Sequence, residues 1–248
     1  MRYFLVLSYK GTNYHGWQVQ PNADTVQANI EKALTLLLRQ PMQIVGAGRT
    51  DAGVHAQEMF AHFDVPQAID TKALTYKLNA FLPKDIAIHD ILPVKESAHA
   101  RFDATARSYK YFINRNKNPF LTETSWYLAK DLDVNAMNEA AKILLQYDDF
   151  KSFSKTHTDV KTFICDVREA YWEQTKDQLI FNITADRFLR NMVRAIVGTL
   201  VDVGLHKLSK QDFVNIIEAK DRQKAGFSVP AQGLFLNKIE YPSTIFIA

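Results

Sequence analysis

Apolar residues along this chain recur with two periods, one near two and one near 3.6. Residues 2–10 alternate as a strand, with Tyr3, Leu5, Leu7 and Tyr9 on one face. A loop of two glycines, a proline and the aromatics Tyr14 and Trp17 follows. The pattern leaves open whether those rings plug a core or offer stacking surfaces. A helix is expected from Thr25 to about Arg39, with Val26, Ile30, Ala33, Leu34 and Leu37 as its buried stripe. Asp24 and Gln27 would form its capping box and Pro41 would stop it. Residues 42–47 and 56–65 read as strands, 71–81 as a helix and 85–94 as a strand. The first hundred residues therefore spell β-α-β-β-α-β.

The remainder repeats this order loosely. After a polar connection, residues 105–115 form a strand with Tyr109, Tyr111 and Ile113 on one face and Ser108, Lys110 and Phe112 on the other. Asp133 caps a helix reaching about Gln146. Residues 148–162, polar and rich in lysine, are expected to be a mobile loop. Strands follow at 163–173 and 178–185. A helix is expected from Arg187 to about Val203, closed by Gly204 at its C′ position. Arg187, Arg190 and Arg194 would then lie on one face of it. Ser209 caps another helix, and residues 232–239 end the pattern as a strand. The reading is α+β, with two similar halves at 1–100 and 101–248 and a mainly antiparallel sheet.

Composition adds bounds. The 248 residues, 47% hydrophobic and 23% charged, suit a soluble globular protein. A net charge of +3 leaves any nucleic-acid binding to local clusters. One cysteine, Cys165, excludes an intrachain disulfide; it reads as a buried strand residue. The seven histidines are scattered without metal-ligand spacing, so no metal or other cofactor is expected. No membrane span or signal peptide is read, and a cytoplasmic protein is expected.

Two stretches carry candidate chemistry. Gly46-Ala47-Gly48-Arg49-Thr50-Asp51-Ala52-Gly53-Val54-His55-Ala56 reads as a glycine-rich loop between strands. It lacks the third glycine of a dinucleotide fingerprint and the lysine of a phosphate-binding P-loop. A carboxylate near a guanidinium is favoured in its ionised form, and in a tight loop it can act as a nucleophile. Local chemistry alone favours the plainer role for Asp51, that of satisfying turn backbone. The second stretch, 101–117, sets Arg101, Arg107, Lys110, Arg115 and Lys117 against a single acid and interleaves aromatics. Such a pattern suits unstacked RNA, and equally a solvated strand face.

The segments Tyr9-Lys10-Gly11-Thr12, Tyr14, Gly16-Trp17-Gln18 and Thr25-Val26-Gln27 resemble the bacterial tRNA pseudouridine synthases of the TruA family. So do Gly48 to Ala56, His99-Ala100-Arg101-Phe102, Arg107, Tyr109 and Tyr111. Phe188-Leu189, Met192-Val193-Arg194, Ile196-Val197-Gly198, Ala225-Gly226 and Gly233-Leu234 complete the set, in the family's order and across almost the whole chain. The family often has two histidines where this chain has Arg190 and Asn191.

The resemblance implies two halves, each like an RNA-recognition module, in one continuous sheet around a basic cleft. It also implies a homodimer gripping the anticodon arm of tRNA. The implied reaction isomerises uridine to pseudouridine at positions 38, 39 and 40. By matching, Asp51 is the nucleophile, Arg194 its charge partner, and Tyr109 the ring that stacks on the target base. Arg49 would help extrude the nucleotide. Arg101, Arg107, Lys110, Arg187 and Arg190 are candidate phosphate contacts. Two other classes stand beside this reading: a non-catalytic RNA-binding module, which gives Asp51 no task, and a hydrolase that releases free uracil.

Overall fold

The computed structural model describes residues 1–156 and 160–247. Its strands are mainly antiparallel and the chain forms two compact units. The first comprises Met1–Thr105 with Leu236–Ala248, the second Ala106–Phe235. The sequence pattern had grouped the last residues with the second half. In the structure Phe246 instead meets Phe4 edge-on and the Ile247 amide donates to the Pro93 carbonyl, both within the first unit.

In the first unit the strands are β1 (Arg2–Tyr9), β2 (Val45–Gly46), β3 (His55–Asp64) and β4 (Ile86–Val94), with helices α1 (Val26–Leu38) and α2 (Thr71–Phe81). β1 lies between β4 and β3, antiparallel to both, and β2 pairs with β3. Phe4, Leu5 and Leu7 of β1 are wholly buried with Met59, Ala61 and Phe63 of β3. Alternation in β3 is weaker than the pattern suggested, because Phe60 and His62 are buried as well as the opposite face. The start of α1 differs from expectation. Thr25, fully buried, is its N-cap and accepts from Ala28 N, while Asp24 binds the Asn29 side chain. The helix ends at Leu38, with Arg39 in the left-handed region two residues before Pro41.

The second unit contains β5 (Ala106–Asn114), β6 (Trp126–Tyr127), β7 (Val167–Gln174) and β8 (Gln178–Ala185). Its helices are α3 (Val134–Ile143), α4 (Met192–Gly204) and α5 (Lys210–Ala219). The last strand, β9 (Leu234–Glu240), leads the chain back to the first unit. β8 is antiparallel to β5 and to β7, and β6 runs parallel to β5. The two-residue β6 fell in an expected loop.

Each unit pins a strand with an asparagine on its neighbouring helix. Asn79 of α2 donates to Ile88 O and accepts from Ile88 N; Asn138 of α3 does the same with Trp172. Strand backbone is thereby satisfied by a helix rather than left open.

The described residues of the stretch 148–162 are more built than expected. Phe150 and Phe153 are fully buried, Lys151–Phe153 is a 3-10 turn, and the Phe150 amide bonds Phe163 O. His157, Thr158 and Asp159 lie outside the described residues. Cys165 is buried, as expected, but just before β7 rather than within a strand; burial pushes its thiol up to about 12. Among the described residues no helix is long and apolar enough to cross a membrane.

One buried histidine sets a pH dependence in the first unit. His62 is 5% exposed, its Nδ1 accepts from Ala100 N at 3.1 Å, and its ring meets His99 at 4.6 Å. Burial, then the nearby Arg2 guanidinium, lower its pKa from 6.5 to about 4. A base whose folded pKa is depressed stays neutral when folded but takes a proton when unfolded. Its stabilising contribution is full above about pH 6.5 and is lost as pH falls toward 4. The expected loss is on the order of 2–3 kcal/mol. Urea unfolding at pH 7.5 and pH 4.5 should show this loss, and His62→Gln should flatten it.

Candidate active site

The loop from Gly46 to His55 is held by the loop that follows β1. Gly11 lies so close to it that a Cβ there would sit 2.0 Å from the Val54 carbonyl oxygen. The Gly11 amide donates to Nδ1 of His55 at 2.9 Å, and His55 is fully buried. Its proton therefore sits on Nε2. The Trp17 amide donates to Thr50 O, and the Gly53 amide to Tyr14 O, each at 3.3 Å. Tyr9 and Thr50 join their hydroxyls at 2.8 Å, beside a register shift in β1 between Leu7 and Tyr9. Tyr14 and Trp17 are buried, so the open question over these rings resolves to plugs. Tyr14 donates to the Asp85 carboxylate, and burial followed by that bond raises its pKa.

This grip leaves the loop tip well defined. Asp51 begins a tight turn in which Val54 N donates to Asp51 O at 3.1 Å. Gly53, at φ 76°, takes the position that such a turn reserves for glycine. Asp51 is half-buried and Arg49 exposed. The same unit carries His99-Ala100-Arg101-Phe102. His99 Nδ1 accepts from the amides of Arg101 and Phe102, the Phe102 ring lies 4.2 Å from His99, and the Arg101 guanidinium sits over Phe102 at 5.6 Å. Arg101 and Phe102 are exposed.

In the second unit, Tyr109 is half-buried on β5 and meets Phe188 edge-on at 5.0 Å. Tyr111, on the same face, is fully buried and donates to Pro230 O at 2.8 Å. Arg107 donates to Asp186 O at 2.7 Å. Lys110, on the other face of β5, is half-buried and pairs in register with Asn182 of β8.

The basic helix face expected at Arg187, Arg190 and Arg194 is corrected here. Helix α4 starts at Met192, and Asn191 before it is left-handed at φ 68°. Arg187 and Arg190 therefore belong to the preceding turn, and only Arg194 rides the helix. Leu189 is buried from that turn, which extends the apolar pattern beyond the helix itself. Gly204 is likewise the last helical residue rather than a C′ cap, and a Cβ on it would meet Met137 Sδ at 2.5 Å. Arg194 is half-buried and held at two points by one residue. Its Nε donates to Val229 O at 2.7 Å, and its own carbonyl accepts from Val229 N at 3.3 Å.

The structure thus places Arg49 and Asp51 on one loop of the first unit, and in the second it places Arg107 and Tyr109 on β5 and Arg194 on α4. Sequence reasoning missed the supports: Gly11, His55, Tyr9 with Thr50, and Val229. Gly11 and His55 lie in matched segments, but their mutual contact had no signature of its own.

The sequence profile of a family described as tRNA pseudouridine synthase matches residues 5–103 and 140–242. The chain belongs to that family. A protein named tRNA pseudouridine synthase A from Parabacteroides distasonis is 57% identical over 99% of this chain and 98% of its own length. A protein of the same name from Bacteroides thetaiotaomicron is 53% identical over 99% and 92%, and one from Bacillus subtilis 40% identical over 97% and 99%. The family is one of isomerases acting on tRNA, and the loop carrying Asp51 and the Arg194 helix both fall within the matched residues.

Proposed function

We propose that the chain isomerises uridine to pseudouridine at positions 38, 39 and 40 in the anticodon arm of tRNA, with Asp51 as nucleophile. The observation that carries this reading is a carboxylate at the tip of a loop whose backbone is fixed by Gly11, Tyr14, Trp17 and His55. Pre-set geometry of that kind is what attack at a single carbon requires.

The N-glycosidic bond breaks, the uracil turns, and C5 joins C1′; the C5 proton leaves to solvent and N1 takes up a proton, so the product is an isomer of the substrate. The Asp51 carboxylate stabilises or traps the positive character at C1′, as carboxylates do in glycosidases. Arg194 balances the charge of that carboxylate. Arg49, exposed on the same loop, helps draw the nucleotide from the stack, without which no group can reach C1′. Tyr109 stacks on the target base; a ring tolerates a uracil that rotates. Its edge-on partner Phe188 supports the ring from the side. Arg101, Arg107, Lys110, Arg187 and Arg190 supply phosphate contacts, with Arg107 also tied to Asp186 O. The enzyme acts as a homodimer in the cytoplasm and needs no cofactor.

Mapping pseudouridine in an unmodified tRNA transcript after incubation, by carbodiimide adducts that stop primer extension, tests the site assignment. Stops at uridines 38–40 are expected; stops elsewhere would overturn it, and free uracil would indicate the hydrolase. Tyr109→Phe keeps the ring and should keep tRNA affinity. If the hydroxyl takes the C5 proton, single-turnover rates should fall by about 10²-fold or more; a wild-type rate would exclude that role.

A further inference from the structure

Arg222 lies between α5 and β9, seven residues before Val229, and is not itself among the site residues described above. It is half-buried, and its guanidinium reaches three acceptors. Nη1 donates to the carbonyls of Ala225 at 3.3 Å and Gly226 at 3.0 Å, and Nη2 donates to the Ser228 hydroxyl at 2.9 Å. One planar fork thus fixes the curve of residues 225–228, a task for which guanidinium geometry is suited and an ammonium is not.

That curve is a strap across α4. A Cβ at Gly198 would lie 1.9 Å from Phe227 O, so helix and strap meet backbone to backbone. The Gly226 amide donates to Thr199 Oγ1 at 2.9 Å, and Asn191 Nδ2 donates to Ser228 Oγ at 2.6 Å. The next residue of the strap is Val229, which holds Arg194 by both its side chain and its carbonyl. A continuous set of bonds runs from Arg222 through Ser228 to Asn191 at the start of α4. A second runs through the strap backbone to Val229 and so to the Arg194 guanidinium.

We propose that Arg222 is a positioning residue: through the strap 225–229 it fixes the rotamer and height of Arg194, and thereby sets the rate of the chemical step. This rests on the reading that Arg194 serves the reacting carboxylate. Arg222 itself need not touch the substrate. Displacing a catalytic group by about 1 Å from a remote position can cost about 10²-fold in rate.

The test is single-turnover pseudouridine formation and tRNA binding for Arg222→Met, Arg194→Lys and the double variant. Arg222→Met is expected to slow the chemical step by about 10²-fold, with tRNA affinity and its salt dependence unchanged. In the Arg194→Lys background the same substitution should have little further effect, because coupled residues are not additive. A rate loss that multiplies fully with that of Arg194→Lys would overturn the proposal. So would weakened binding with a shallower salt slope, which marks a phosphate contact, or a lower Tm with an unchanged rate, which marks a purely structural role. If Arg222→Met does not fold, Arg222→Lys, which keeps the charge without the fork, is read by the same criteria. An unimpaired Arg194→Lys would remove the underlying assignment of Arg194; an impaired Arg194→Lys beside an unimpaired Arg222→Met would remove only the positioning role.

Discussion

Asp51→Ala is expected to reduce pseudouridine formation to background while leaving tRNA affinity within about tenfold, since one side chain among many phosphate contacts is removed. The substitution spares the scaffold. The turn that presents Asp51 is closed by its main-chain carbonyl and Val54 N, and the surrounding grip comes from Gly11, Tyr14, Trp17 and His55. The variant should therefore unfold at a temperature within a few degrees of wild type, a ΔΔG of about 1 kcal/mol or less. Single-turnover assays, filter binding and thermal melts on one preparation separate the three quantities. Loss of binding in parallel with activity would assign Asp51 to the scaffold instead.

Gly11→Ala is expected to damage both fold and rate. A methyl at this position would meet the Val54 carbonyl at 2.0 Å, and the obstacle is backbone, which cannot rotate away. The two loops must separate, and the 2.9 Å bond from the Gly11 amide to His55 Nδ1 stretches with them. Overpacking of this kind costs about 1–3 kcal/mol, and a buried imidazole that loses its donor costs about 1–3 kcal/mol more. We expect a total near 3 kcal/mol in urea unfolding, with a rate loss beyond what the unfolded fraction explains. Gly48→Ala, on the same loop, is the control for stability, because a Cβ there meets nothing within 4 Å. Its stability should stay within about 1 kcal/mol of wild type.

These two glycines show what sequence pattern can and cannot carry. Alternation and helical period located β1, α2 and β4 to within a residue, because each carries a strong apolar pattern and α2 and β4 have clear signals at their starts: Asp70 as N-cap of α2 and Pro83 before β4. The pattern misjudged the start of α4 because Leu189 is buried from a turn, making the apolar run continuous across a left-handed Asn191. It also undervalued the start of the stretch 148–162, where Phe150 and Phe153 are fully buried among polar neighbours in sequence. The two-residue β6 is too short for any period to register.

For the candidate site, the loop that carries Arg49 and Asp51 was legible as a glycine-rich run of contiguous residues between two strands. The supports were not. Close approach of Gly11 to Val54 depends on how separate loops meet, and the hold of Arg222 on a turn three to six residues ahead lies within one irregular segment; neither leaves a periodic trace. Tyr14 and Trp17 could be called only once their burial was known, because an aromatic in a loop satisfies core packing and base stacking equally well.

The most direct test of the central claim is tritium release from tRNA labelled at uracil C5, measured for the wild type and Asp51→Ala together. Forming the new C–C bond at C5 must expel the hydrogen there, so an isomerase releases tritium to water without releasing uracil. Release by the wild type alone is expected, with no free uracil in either reaction. Tight, salt-sensitive tRNA binding by the wild type without tritium release, or equal release by Asp51→Ala, would contradict it.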